Sequence, residues 1–341
     1  MSERDTTGGD IIVGGQAVLE GVMMRSPNAY AVAVRRADGQ IVSRRSRVPR
    51  LSDKYPVLKL PIVRGGATLI QSMVLGIKAL NYSSGIMLAE EEARDEVAVA
   101  SAATAEGPAG APVAVSVART EPEATSTSAA VGPMIFAIVA NVALFILLPL
   151  LLTNALFIGL GAGWSGTFGS LFHSVRPSVG FNLVEGAIRV VMFVGLIYAM
   201  SRLKDMHRVF MYHGAEHKVV MAYEAGGPLT VEAARPQPRR HPRCGTSFLM
   251  VVMIVAIVLF SVVRFDSLAL NAAARIALMP LVAGLSFEVI RAAAKKQSGW
   301  LFRAMVLPGL WLQGITTQEP SDDQLEVAIF ALEQSLELEP S

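Results

Sequence analysis

The chain has 341 residues, 52% of them apolar and 17% charged, with a formal net charge of +2. Ordinary soluble domains carry about 25% charged residues, and the mean hydropathy here is +0.46, which excludes a disordered chain, a coiled coil and a typical soluble enzyme. The single cysteine, Cys244, excludes an intrachain disulfide framework, and the small net charge gives no ground for nucleic-acid binding. The expected fold class is a mainly α-helical integral membrane protein with about four transmembrane helices, a small N-terminal β-rich cytoplasmic element and an amphipathic interfacial helix.

The amino terminus has no short apolar segment with a cleavage site, so no signal peptide is expected. Residues 11–13, 30–34 and 41–43 are β-prone, and Ala37-Asp38-Gly39-Gln40 predicts a turn between the last two. A small antiparallel sheet follows. Residues 62–82 are apolar at helical spacing and predict an amphipathic helix, lying at the interface or packed on the bundle. Residues 94–130 are rich in Ala, Pro, Ser, Thr, Val and Glu and contain no aromatic, a composition that reads as a disordered linker or insert.

Four segments approach the roughly 20 residues needed to cross a hydrocarbon core: 134–152, 183–200, 248–263 and 267–290. A fifth, 300–313, is short and broken by Pro308; it predicts an interfacial or re-entrant segment. The tail from Ser321 to Leu338 opens on a capping serine followed by Asp322 and Asp323 and predicts a short amphipathic helix. The expected organisation is therefore 1–93, the sheet and interfacial helix; 94–130, the insert; 131–315, the transmembrane bundle with a His-rich loop at 201–247; and 316–341, the tail.

Basic residues in the loops set the orientation. Arg176 stands alone between the first two spans and Arg264 between the last two, whereas eight basic residues lie between 202 and 243, and Arg291, Lys295, Lys296 and Arg303 follow the fourth span. The expectation is a multi-pass protein of the cytoplasmic (inner) membrane with both termini and the central loop in the cytoplasm.

That loop contains Tyr212-His213-Gly214-Ala215-Glu216-His217-Lys218, whose core is H-x-x-E-H, the inverted zincin pattern. Positions i, i+3 and i+4 share one helix face. His213 and His217 would hold one divalent metal, Zn²⁺ by the donor types, with Glu216 beside it as the general base of a hydrolase. A second run, His241-Pro242-Arg243-Cys244, stands immediately before the third span on the same predicted side, and His241 and Cys244 are candidate further ligands. Glu288, near the cytoplasmic end of the fourth span, is a third candidate; its alternative is a pair with Arg291 or a snorkelling side chain.

Other features are weaker. Glu224 lies two turns beyond His217, too far for the same ion. His207 is off the His213 face and reads as a headgroup contact, as do the basic residues between 35 and 50. Glu185 and Arg189, four apart, read as an intrahelical pair facing the bundle interior. Residues 161–166 match G-x-G-x-x-G but follow a span rather than a strand, so no nucleotide site is expected. Glu20-Gly21-Val22-Met23-Met24-Arg25 suggests a close backbone approach beside an apolar contact.

The runs Gly14-Gly15-Gln16-Ala17, Glu20 to Arg25, Tyr212 to Lys218, His241-Pro242-Arg243-Cys244-Gly245-Thr246-Ser247-Phe248 and Thr316-Thr317-Gln318-Glu319-Pro320 resemble the bacterial YqhQ-like family. It is a domain of unknown function often labelled a predicted metal-dependent enzyme. The resemblance implies an inner-membrane protein and supplies no substrate.

The leading expectation is a metal-dependent membrane hydrolase acting at the cytoplasmic interface on a lipid, a lipid-linked molecule or a membrane-tethered peptide. One alternative is a non-enzymatic scaffold or assembly factor with a closed structural metal site. Another is a small transporter or channel acting as an oligomer. The partners expected are membrane lipids, with a second copy of the chain as an open alternative, and no nucleic acid.

Overall fold

The computed structural model describes residues 13–48, 60, 63–105, 127–161, 179–263, 265, 267–294 and 299–339. Four strands come first: β1 (Gly14–Val18), β2 (Gly21–Arg25), β3 (Ala29–Arg35) and β4 (Ile41–Arg47). They form one antiparallel meander in the order β1-β2-β3-β4. The predicted turn closes β3 onto β4, with Arg36 N donating to Gln40 O at 2.9 Å and Gly39 at φ +84°. The first strand lies later than the expected 11–13, where residues 11 and 12 fall outside the described residues, and β2 was not anticipated at all. Its sequence, GVMMR, does not alternate because both faces of the strand are buried.

The reason is a three-layer arrangement. Met23 with Val32 and Val34 packs beneath Leu75, Ala79 and Ile86 of α1 (Val63–Ala105). On the other face Val22, Met24 and Ala33 pack against α5 (Lys204–Glu224) and α10 (Asp322–Leu336). The outer face of α1 leaves Ile70 and Met73 about 60% exposed, so the helix is apolar on both sides. It runs well past the expected 62–82: the insert read at 94–130 is helical up to Ala105 and again from Thr127. Its Ala- and Glu-rich composition explains that, since both are strong helix formers; residues 106–126 lie outside the described residues.

Four helices are long and apolar enough to cross a membrane among the described residues: Ile135–Gly159, Val179–Ser201, Gly245–Val262 and Ala269–Ala292. The first is assembled from α2 (Thr127–Val142), a π-helical turn (Ala143–Leu147) and α3 (Leu148–Gly161). The others are α4 (Val179–Ser201), α7 (Gly245–Val262) and most of α8 (Leu268–Ala294). Large side chains such as Phe136 at 75% and Val262 at 73% exposure point outward, as lipid-facing positions require. The protein is a mainly helical membrane protein.

The remaining helices place the site. α4 breaks after Ser201, and α5 starts three residues later. After the single turn α6 (Val231–Ala234), Cys244 caps α7. α9 (Trp300–Thr316) contains Pro308 and crosses the first turn of α7 closely, a Cβ on Gly309 meeting the Cβ of Ser247 at 2.6 Å. α10 then folds back over α5 and the sheet, its first turn closed by Ser321 N donating to Gln324 Oε1 at 3.0 Å.

Candidate metal centre

α5 is an ordinary helix with an unusual face. His213, Glu216 and His217 stand together on it as the i, i+3, i+4 spacing demands, and nearly the whole second half of the helix is buried. Burial needs close neighbours. A Cβ on Gly214 would collide with the carbonyl oxygen of Gln318, so only glycine lets the 316–320 segment run alongside. Gln318 N–H in turn donates to Phe210 O at 2.8 Å.

Two main-chain carbonyls set the histidine tautomers. His213 Nδ1 lies 2.8 Å from Thr316 O, and His217 Nδ1 lies 2.6 Å from Arg239 O. A carbonyl only accepts, so each Nδ1 carries the proton and each Nε2 presents a lone pair. Backbone carbonyls holding Nδ1–H are the usual outer partners of metal-ligating histidine. His213 Nε2 is 3.3 Å from Cys244 Sγ, and ligand atoms of His213, His217 and Cys244 all lie within 4.8 Å of one another. Tetrahedral Zn²⁺ bonds of about 2.0–2.3 Å place neighbouring ligand atoms roughly 3.3–3.8 Å apart, so the trio is close to a ligating arrangement. His217 Nε2 is buried and has no hydrogen-bond partner among the described residues, a cost that an ion would relieve.

Cys244 is held by the turn at the head of α7. Its N–H donates to His241 O at 3.3 Å, and Thr246 Oγ1 lies 3.4 Å from the sulfur. Glu216, 6% exposed, brings Oε2 to 3.9 Å from His213 Nε2 and 3.7 Å from His217 Nε2. It borders both nitrogens without hydrogen-bonding either. β1 presses on its stem: a Cβ on Gly15 would sit 2.8 Å from Glu216 Cγ.

The other candidates stand apart from this trio. The His241 ring lies 5.9 Å from the His217 ring, but its Nε2 faces Glu224 at 3.4 Å and its Nδ1 accepts from Arg243 N at 3.3 Å. Burial pushes the His241 imidazole below its usual pKa, Glu216 opposing it. Glu224 also pairs with Arg243. Glu288 is joined to Arg64 of α1, with Nη2 2.8 and 2.7 Å from the two carboxylate oxygens. Its partner is Arg64 rather than Arg291. His207 is exposed and outside the group.

The amino-terminal motif works as a clasp. Glu20, in the left-handed region at φ +49°, pairs with Arg208 of α5 and approaches Tyr212 Oη at 3.4 Å. Burial first, and then the Glu20 carboxylate, push the Tyr212 phenol above its usual pKa. Arg25 reaches the other way, to Ser72 and Gln71 of α1 at 3.2 and 3.3 Å.

Three contributors had no individual signal in the sequence. Thr316 and Arg239 act through main-chain oxygens, which no side chain advertises. Gln313 brackets His241, its Oε1 2.8 Å from His241 N and its Nε2 2.9 Å from His241 O. The run Thr316 to Pro320 was visible as a motif, but its role needed the fold.

Sheet, bundle and the His-His-Cys group together define a helical membrane protein with residues that could hold a metal ion. The chain belongs to the family described as "Protein of unknown function (DUF1385)", whose model matches residues 60–338. It is 34% identical over 336 residues to "Uncharacterized protein YqhQ" of Bacillus subtilis (strain 168), covering 96% of this chain and 92% of that relative. No solved structure matches it.

Proposed function

We propose that this protein is a metal-dependent membrane hydrolase, with a divalent ion, Zn²⁺ by its donor set, held by His213, His217 and Cys244. One observation carries the reading: a half-buried and a buried imidazole, each held by a carbonyl at Nδ1, stand with one sulfur within ligating reach beside a carboxylate that hydrogen-bonds neither ring. Three protein ligands of N₂S type leave a fourth position for water or substrate. A bound ion would supply Lewis acidity and lower the pKa of a coordinated water.

The chain's own residues do the rest. Glu216 Oε2 stands where it can take and return a proton beside both Nε2 atoms, with Gly15 of the sheet against its stem. Cys244 immediately precedes a membrane span and Thr316 ends the helix that crosses it. A group reacting here is delivered at the bilayer boundary, which favours a lipid, lipid-linked or membrane-tethered substrate. The positive-inside distribution makes that boundary the cytoplasmic face of the inner membrane. His241 completing a closed structural site is the competing arrangement, and its two engaged nitrogens speak against it.

Metal analysis of the purified protein tests this. The parent should carry about one equivalent, His213→Ala, His217→Ala and Cys244→Ser little or none, and Glu216→Gln the full amount. Comparing membrane lipids and tethered peptides from cells expressing the parent and Glu216→Gln should show a substrate accumulating with the variant. Unchanged metal in both alanine variants overturns the site. Full metal in Glu216→Gln with no accumulating species overturns the hydrolase and leaves a structural centre.

A further inference from the structure

A second cluster of charge lies inside the bundle. Glu185 and Arg189 of α4 and Arg275 of α8 are 1%, 8% and 3% exposed. Arg189 pairs with Glu185 one helical turn earlier, and Arg275 Nη2 lies 2.5 Å from the other carboxylate oxygen. Arg189 Nε donates to Phe145 O at 2.9 Å. Pro149, four residues on, has no N–H to offer that carbonyl. Arg275 Nη2 donates to Asn182 Oδ1 at 2.9 Å, and both guanidinium carbons lie 5.4 Å from the centroid of the Phe260 ring.

The charges do not balance. Two guanidinium groups, which stay protonated in proteins, face one carboxylate, leaving one positive charge in a region lined by apolar helices. Among the described residues no second carboxylate pairs with either arginine. Arg275 Nη1 is buried and has no hydrogen-bond partner there. A ring face returns about 2 kcal/mol to a desolvated cation, against several kcal/mol for removing an ion from water.

The cluster is separate from the histidines. Phe260 lies sixteen residues beyond Cys244 on the α7 side, about 24 Å along a helix. Glu185 and Arg275 each stand six residues inside the start of their spans, about 9 Å deep.

We propose that this cluster is an intramembrane site for one small monovalent anion, held by the Arg275 guanidinium and balancing the excess charge. A halide or a small carboxylate has the required chemistry: one negative charge that accepts N–H donors.

Full-length protein in uncharged detergent, without anionic lipid, is melted at constant ionic strength while sodium gluconate is replaced by sodium chloride. The parent Tm should rise with chloride and saturate, by about 3 °C or more. Asn182→Asp places a fixed carboxylate against Arg275 at almost no change of shape. It should melt higher than the parent in gluconate and no longer respond to chloride. Arg275→Gln removes the excess charge, and should also lose the response. A parent Tm flat across the replacement overturns the proposal, as does Asn182→Asp retaining the parent's response. A rise produced by added anionic lipid and not by chloride overturns it too, assigning the charge balance to a headgroup.

Discussion

Gly15 of β1 and Glu216 of α5 touch across the boundary between sheet and helix: a Cβ on Gly15 would lie 2.8 Å from Glu216 Cγ and 2.5 Å from Met23 O. The strand therefore forms one wall around the carboxylate, and its position depends on a residue without a side chain. A Cβ on the neighbouring Gly14 would meet nothing within 4 Å among the described residues.

This pair of glycines gives an internally controlled prediction. Gly15→Ala should destabilise the fold by about 1–3 kcal/mol through overpacking and displace Glu216 while the ligands stay in place. Gly14→Ala should melt like the parent. Thermal melts and metal content of the two variants check this, and equal melting of both would show that the wall yields freely.

Glu288 should prove dispensable for metal. Its bidentate partner is Arg64, and the two side chains are 23% and 29% exposed. Glu288→Gln should keep the parent's metal stoichiometry and lose about 1 kcal/mol. The start of α1, whose Gly65 abuts Phe287, should exchange amide hydrogens faster. Loss of metal in this variant would return Glu288 to the ligand set.

Gln313 should matter more than its neutral side chain suggests. It satisfies both the N–H and the carbonyl of buried His241, at the turn that carries Cys244. Gln313→Ala should cost about 1–3 kcal/mol for the groups left unpaired and weaken metal retention against a chelator. A chelation profile identical to the parent would uncouple this turn from the centre.

The tail helix should be part of the core. Leu332 is fully buried within the cluster shared by α5, β2 and α10. Leu332→Ala should cost about 2–5 kcal/mol, whereas Glu326→Ala, at an exposed pair with Arg35, should cost about 1 kcal/mol or less. Melts of the two variants check the ordering.

Runs of apolar residues announce membrane helices directly, because a span must be apolar along its whole length. All four segments were legible for that reason, as were the helical spacing of His213, Glu216 and His217 and the tail helix with its capping serine. What the sequence concealed follows from burial on two sides and from main-chain bonding. β2 shows no alternation because α1 covers one face while α5 and α10 cover the other, and α1 continues through residues whose composition resembled a linker. The further ligand candidates rested on residue type and predicted membrane side, so His241 and Glu288 stood beside Cys244. The tertiary structure places them differently, giving Glu288 an arginine from α1 and engaging both nitrogens of His241. It also brought two imidazoles and one sulfur together, the rings held through carbonyls of Thr316 and Arg239 that lie 103 and 22 residues away in the chain. Side-chain chemistry is written locally in a sequence; the partner that decides whether a group is free to bind is set by packing between distant segments.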